Sequence, residues 1–389
     1  MAETYLITFK PVGRFYFGTS QSFSEGFFAR SSHFPPQTTL LGALRFSLLK
    51  QNNLLDGGNR YPKKNGAGVV DDVKKLTGEA SMQSINEEVG SGNYFGTIKK
   101  ISPVFICQQK TGDPFPKDFF FPVPFDVIYK RYENERDENG EKKIIGLERI
   151  FVNEYSDKSG IYSAKRTKEF SADSLGNNLF WETYFNNNNL ELSHTIRYKE
   201  VFVDDSQPGI SRERENIATK RTAIEGKFYI KKDYRLHKDF SFGIVVHFAQ
   251  EFNLKNDDVF LGGERSLFRM TLTKINEQNI GVLQNHSIMK RFLGEKDFGD
   301  FDGSKKINLE KESKLVFISP FFGAGKIDGV AHSVINEIYS PRMIGADSRK
   351  TDTFNVIPSR SIIYTNGVLK IENTFPMPKL MGYNFAIKF

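Results

Sequence analysis

The sequence holds one cysteine, Cys107, and one tryptophan among 389 residues. A lone thiol closes no internal disulfide and makes no cysteine zinc site, and it fits a reducing compartment, where Cys107 is read as a small buried apolar residue. Histidine is scarce as well. The six, at 33, 194, 237, 247, 286 and 332, show neither His-x-Glu nor His-Glu-x-x-His spacing, so no metal centre and no cofactor are expected. No stretch approaches the roughly 18 consecutive apolar residues of a membrane helix, and the mean hydropathy of −0.44 agrees. The opening residues carry no basic head, apolar run or small-residue cleavage site, which predicts a cytoplasmic protein without a secretory signal. Nucleotide and hydrolase signatures are missing too. Phe322-Gly323-Ala324-Gly325-Lys326 lacks the spacing of a phosphate loop, with Ile327 where a hydroxyl is needed, and no Gly-x-Ser-x-Gly elbow occurs.

Aromatic residues are plentiful. With 37 Phe and 15 Tyr, and 39% apolar residues in all, the chain can fill packed cores. Its length predicts two domains. Lys and Arg number 54 against 47 Asp and Glu, a net charge of +7, with an isoelectric point near 9.1. Such a surplus permits a polyanionic partner without requiring one.

Tyr5–Phe9 and Arg14–Phe17 are β-prone runs parted by Pro11 and Gly13. A helix is predicted through Leu40–Leu49, capped by Thr38 or Thr39, because its apolar residues recur at three and four positions. Residues 56–96 turn to Gly, Asn, Lys and Glu, the composition of a surface insertion with a short helix near Val69–Leu76. Ile101–Ile106 and Phe119–Tyr132 are strand-like, the latter broken by Pro122 and Pro124. The charged 133–143 stretch with Asn139-Gly140 predicts a protruding hairpin, and Asn186–Asn189 a polar turn. Thr195–Val203, Gly226–Ile230 and Phe240–Phe248 are further strands, followed by Val259–Thr273, Leu315–Ser319, Ser361–Tyr364 and Tyr383–Phe389. Many short strands with few helices and no strict βα alternation predict an α+β fold. Split βαβ units of ferredoxin type satisfy that pattern. The boundary is placed near Leu236, giving an N-terminal domain over 1–235 and a C-terminal one over 236–389.

Among candidate chemistry, the adjacent carboxylates Asp71-Asp72, Asp204-Asp205 and Asp257-Asp258 read as turn and cap residues rather than Mg²⁺ ligands. His33, ahead of the clear helix, is the one histidine worth testing as a general base or acid. Two stretches carry more weight. Gly209–Thr222 mixes Arg212, Arg214, Lys220 and Arg221 with hydroxyls and an amide, groups that contact phosphate and ribose; its alternative is a hairpin with internal ion pairs. In Leu261–Arg269, Gly262 and Gly263 let a backbone approach a phosphate, with Arg265 and Arg269 for charge and Phe268 for stacking. The alternative there is a tight turn feeding a core strand.

Four segments resemble one family. Phe34-Pro35-Pro36-Gln37-Thr38-Thr39-Leu40-Leu41-Gly42-Ala43-Leu44-Arg45 is similar to its proline-led first helix. Gly209-Ile210-Ser211-Arg212 through Gly226-Lys227-Phe228-Tyr229 resembles its central element. Leu261-Gly262-Gly263-Glu264-Arg265 matches its turn, and Pro358-Ser359-Arg360-Ser361 with Gly382-Tyr383-Asn384 its closing strands. The family is the RAMP subunit of type III-B (Cmr) CRISPR effectors that sits at the crRNA 5′ end. The resemblance implies two ferredoxin-like, RRM-related domains and a non-catalytic role in antiviral defence. It also implies three partners: the crRNA 5′ tag, the large polymerase/cyclase-like subunit, and an adjacent backbone RAMP subunit. Carried over residue by residue, it points to RNA contacts at Arg30, Arg45, Arg212, Arg214, Lys220, Arg221, Gly262, Gly263 and Arg265. The glycine-poor 379–385 segment departs from the family's fuller loop, and the 56–96 and 133–143 stretches align with nothing in it. Two other readings compete: a RAMP-fold endoribonuclease that processes guide precursors through His33, and a scaffold with little direct RNA contact.

Overall fold

A computed structural model of the chain describes residues 3–18, 28–55, 71–78, 95–138, 140–149, 161–162, 172–212, 223–249, 254–262, 265–293, 306–309, 314–322, 327–328, 331–334, 356–365, 369–372 and 376–389. It is a mixed α/β protein built mainly on antiparallel sheets. The first part runs β1 (Glu3–Pro11), β2 (Phe28–Arg30), α1 (Gln37–Gln51), α2 (Asp71–Thr77), β3 (Ile98–Ile101), β4 (Phe105–Gln108), β5 (Asp118–Pro122), β6 (Val127–Arg136) and β7 (Lys142–Arg149). Next come β8 (Ile161–Tyr162), β9 (Ser174–Gly176), α3 (Asn178–Phe185), β10 (Thr195–Arg197), α4 (Tyr198–Val201), β11 (Phe202–Arg212), β12 (Ala223–Leu236), β13 (Phe240–Phe248), β14 (Asp257–Leu261), β15 (Ser266–Lys274) and α5 (Ile280–Gln284). The chain closes with β16 (Lys306–Leu309), β17 (Lys314–Phe317), β18 (Phe321–Phe322), β19 (Ile327–Asp328), β20 (Ala331–Val334), β21 (Val356–Ile357), β22 (Ile362–Thr365), β23 (Leu369–Glu372), α6 (Pro376–Leu380) and β24 (Ala386–Lys388).

The main sheet has nine strands in the order β10-β9-β5-β4-β13-β1-β15-β14, with β3 also on β13. Its centre is β13, buried at every position: Phe240, Phe242, Ile244, Val246 and Phe248 line one face, while Ser241, Gly243, Val245 and His247 turn to the other, where His247 Nε2 lies 2.6 Å from the Phe292 carbonyl oxygen. β1 pairs with β13 through Ile7↔Ile244 and with β15 through Ile7↔Leu272. The sheet therefore draws strands from both sides of residue 236. Pro103 interrupts the strand formed by β3 and β4, and Ser102 repairs the gap: its amide donates to the Val245 carbonyl at 2.8 Å and its Oγ accepts from the Val245 amide at 2.8 Å.

Alternation along the strands sends Ile7, Phe9, Phe242, Ile244, Phe268 and Met270 to one face, where Leu40, Leu44 and Leu48 of α1 cover them. Each fully buried leucine contributes about 1.5–3 kcal/mol. Leu6, Phe105, Cys107 and Val245 point to the other face, into a core shared with Met289, Phe292, Val316, Ile362 and Phe385. Cys107 is fully buried, and burial pushes its thiol well above the ordinary range. Over the second face lies a five-stranded sheet, β24-β17-β22-β20-β8.

The helix at Leu40–Leu49 and the short one near Val69–Leu76 are present, and the prolines at 122 and 124 separate β5 from β6. β6 and β7 form the expected hairpin, with Gly140 at φ +78° in its turn. Two details differ. Thr38 and Thr39 lie inside the first turn of α1, whose N-cap is Pro36 with no side-chain cap. Instead the Thr38 amide donates to the Tyr383 hydroxyl at 3.4 Å. The strand expected over Thr195–Val203 is broken by α4, where Glu200 accepts from the Arg197 amide at 2.8 Å in a capping arrangement that starts a helical turn.

Candidate nucleic-acid interface

The central basic element folds as a ribbon. β11 and β12 pair antiparallel from Phe202↔Leu236 to Arg212↔Ala223, and β2 joins β12 in parallel, with Arg30 opposite Lys232. Arg212 thus sits at the far end of β11; Arg214, Lys220 and Arg221 fall outside the described residues. At the ribbon's base the charges are internally paired. Lys232 Nζ is 2.6 Å from Asp204, Arg235 Nη2 is 2.6 Å from Asp205, and Lys231 Nζ is 3.3 Å from Asp233. Asp233 is buried, with Arg14 Nε at 3.8 Å. Burial pushes its carboxyl above the usual value, against the pull of Lys231 and Arg14.

The Leu261–Arg265 segment is the turn between β14 and β15, closed by an Arg265 amide to Gly262 carbonyl bond of 3.1 Å. Gly262 has φ +78°, and a Cβ there would lie 2.6 Å from the Tyr16 carbonyl oxygen. Both the turn and the close approach of its own chain therefore require glycine at 262. Gly263 lies outside the described residues. Arg265, at φ +54°, is exposed, with its guanidinium 4.9 Å from the centre of the Phe260 ring.

Ribbon and turn meet across residues 14–18. Phe15 exchanges backbone bonds with Tyr234 of β12, at 2.8 and 3.1 Å, while the Tyr16 amide donates to Ser266 Oγ at 3.3 Å. Phe15 and Phe17 are buried. Tyr16, between them, is half-buried and has Lys231 Nζ 4.6 Å from its ring centre. The Leu261–Arg265 turn is thereby joined to the base of the ribbon around an aromatic–cation pair, Tyr16 and Lys231, while Arg212 lies at the ribbon's other end. A strip of aromatic faces with cations beside them can stack bases and bind phosphates. Tyr16, Lys231 and Phe260 were not among the sequence candidates; the only signal for Tyr16 is the alternation Phe15-Tyr16-Phe17, which turns the middle ring outward.

The remaining candidates are elsewhere. Arg45, on α1, holds its guanidinium 5.2 Å from the Phe95 ring centre. His33 packs among aromatics, stacked on Tyr234 at 4.3 Å and touching Tyr198 and Phe202 at 4.9 and 4.8 Å, as a structural histidine does. Burial pushes the Tyr198 hydroxyl up to about 12. The paired carboxylates act structurally: Asp71 and Asp72 open α2, Asp257 holds Lys50 at 2.8 Å, and Asp258 lies 3.5 Å from Arg269.

The other two family-like segments are joined as well. Tyr383 meets the start of α1, and Asn384 clamps Phe322 by accepting from its amide at 2.6 Å and donating to its carbonyl at 3.1 Å. Arg360 donates to the Val123 and Ala172 carbonyls at 2.7 and 2.8 Å and lies over the Phe125 ring, tying the closing strands to the first half.

Residues 7–290 match the model of a family described as CRISPR-associated protein (Cas_Cmr3). No curated protein matches the chain. Solved structures similar to it include a chain of the type III-B Cmr-beta complex bound to cognate target RNA, at 12% identity and TM-score 0.45, covering 93% of this chain and 86% of that one. The same complex with target RNA and AMPPnP gives 13%, 0.41, 92% and 86%. A chain of the Csm3–Csm4 subcomplex of the type III-A interference complex gives 9%, 0.36, 95% and 99%.

Proposed function

The chain belongs to the Cas_Cmr3 family of CRISPR-associated proteins, and from that premise we propose that it is the non-catalytic subunit of a type III-B Cmr effector that binds the crRNA 5′ tag. In this reading it works in the cytoplasm, docks the large polymerase/cyclase-like subunit at the base of the complex, and sits beside an adjacent backbone RAMP subunit. The observation that carries the reading is the meeting of the base of the β11–β12 ribbon and the Gly262–Arg265 turn at residues 14–18, with a cation beside an aromatic ring on each side, Lys231 at Tyr16 and Arg265 at Phe260. Tag binding there is electrostatic capture followed by base stacking that sets the register. With the charges at the ribbon's base already paired, the phosphate contacts fall to Arg212 at the far end of β11, to Arg214, Lys220 and Arg221, and to Arg265 at the turn.

The fold supports the same reading. The antiparallel order β4-β13-β1-β15, with α1 crossing between β1 and β4, is the strand order of a split βαβ unit, though β13 and β15 come from beyond residue 236. We take a first ferredoxin-like unit to be completed by those two strands, and a second to be built on the sheet of β17, β22, β20 and β24.

Replacing Arg212, Arg214 and Arg265 together by Ala tests the site. Guide RNA retained by the purified complex should fall, and affinity of the free chain for single-stranded RNA should lose part of its salt dependence. Unchanged retention would refute the site. Retention through the large subunit, with no salt-dependent RNA binding by this chain, would favour a protein-only scaffold.

A further inference from the structure

Three of the exposed large apolar side chains form one row on the sheet. Phe260 of β14 is 51% exposed and sits directly opposite Leu267 of β15, 36% exposed. Val12, just past the end of β1 and 59% exposed, donates its amide to the Leu267 carbonyl at 3.0 Å. The row crosses three strands on the face opposite Phe268 and Val259, which are buried under α1. Two residues along each strand, about 7 Å away at the strand rise, runs a second row of Asp258, Arg269 and Lys10 in direct register.

Elsewhere this second face of the sheet is covered, Leu6 and Val245 lying in the core shared with the closing strands. At the β1–β15–β14 corner no described residue covers it. An apolar row left in water is unfavourable unless something covers it, and the neighbouring charges indicate what. Lys10, Arg265 and Arg269 face a single described carboxylate, Asp258, which pairs with Arg269 at 3.5 Å. Lys10 and Arg269 stand directly opposite each other across β1 and β15, and like charges so placed repel. A phosphate between them would relieve that repulsion. Arg265 extends the Phe260 ring outward, and guanidinium planes stack bases as aromatic rings do.

We propose that this open corner is a platform for unpaired RNA, with a base stacked on Phe260 and Arg265 over the floor of Leu267 and Val12, and the adjoining phosphate held by Lys10 and Arg269. The proposal rests on the reading of this chain as an RNA-binding subunit and extends that surface from Arg265, which it shares with the turn, onto the sheet corner away from the ribbon. An acidic or apolar protein partner at the same place is the competing occupant; the excess of cations beside a stacked aromatic favours nucleic acid.

All six side chains are exposed, so their variants should fold. The probe is a fluorescent oligoadenylate RNA of about ten nucleotides, within the span of sheet-type single-strand sites, titrated with the full-length chain. Phe260→Ala should weaken binding at least about fivefold, the lower end of a lost base stack, and Phe260→Trp should restore it. Lys10→Ala should lower the slope of log affinity against log salt by about 0.7, the share of one phosphate on a single strand. Affinity unchanged in Phe260→Ala would overturn the platform, as would an effect confined to co-purification of the large subunit or to self-association. Arg212→Ala with Arg214→Ala, assayed for guide retention in the complex, reports on the ribbon separately. Loss there with a silent Phe260→Ala sinks the platform alone, and the reverse pattern sinks the ribbon assignment while leaving the platform standing.

Discussion

Replacing Gly262 by Ala should damage both stability and the shape of the RNA surface, and the structure sets the size of the effect. The backbone at 262 has φ +78°, and the new Cβ would lie 2.6 Å from the Tyr16 carbonyl oxygen and 3.4 Å from the Phe17 ring. An L-residue in that conformation costs about 1–2 kcal/mol. Relieving the overlap means moving residues 14–18 against the Phe15–Tyr234 backbone pair and the Tyr16–Ser266 bond, each worth about 1 kcal/mol. The expected loss is about 2–4 kcal/mol, read as a lower urea midpoint by far-ultraviolet circular dichroism. Gly13 is the control, since a Cβ there meets nothing within 4 Å and its φ is ordinary. Gly13→Ala should be neutral or stabilise by up to about 1 kcal/mol through the unfolded chain. A Gly262→Ala protein within about 0.5 kcal/mol of wild type, the usual spread for harmless surface changes, would refute the reasoning, as would equal losses in both variants.

Arg360→Ala strips two buried carbonyls of their charged donor and should cost about 3 kcal/mol in the same unfolding assay, with Arg360→Lys recovering only part. His286 donates from Nε2 to the Phe119 carbonyl and accepts at Nδ1 from the Ile288 and Met289 amides, so it is held neutral, and burial lowers its pKa to about 4. Because folding depresses this pKa, its contribution is complete above the unfolded value near 6.5 and is lost as pH falls toward 4. About 3 kcal/mol should disappear across that window, and His286→Gln should flatten the slope of stability against pH there. With His33 packed among aromatic rings, the purified chain should leave labelled repeat RNA intact; cleavage that vanishes in His33→Ala would instead establish the endoribonuclease reading.

Local pattern revealed the parts whose causes are local. The three-and-four spacing of Leu40, Leu41, Leu44 and Leu48 marks α1, the run Phe240–Phe248 marks β13, and Asn139-Gly140 marks the β6–β7 hairpin. What escaped is set by partners far along the chain. The start of α1 is held by Tyr383, 345 residues away, so the adjacent Thr38 and Thr39 looked like caps. Nothing in the residues of β13 says that it pairs with β1, from the far end of the chain. The site shows the same division. Gly262 and Arg265 stood out as a turn with charge, whereas Tyr16, Lys231 and Phe260 gain meaning only once the ribbon and the turn are folded together. Asn187, read as part of a plain polar turn, accepts from both Arg149 and Lys314, each at 2.7 Å, a role no spacing announces.

This chain is proposed to hold guide RNA through the surface where ribbon and turn meet. The most direct test is to co-express it with its large subunit and a guide RNA, purify through a tag on this chain, and map protein–RNA crosslinks by mass spectrometry. Crosslinks are expected from the guide 5′ tag to residues 212–222, to Tyr16 and to the Gly262–Arg269 segment. Stable co-purification with guide crosslinks confined to other subunits would contradict this assignment.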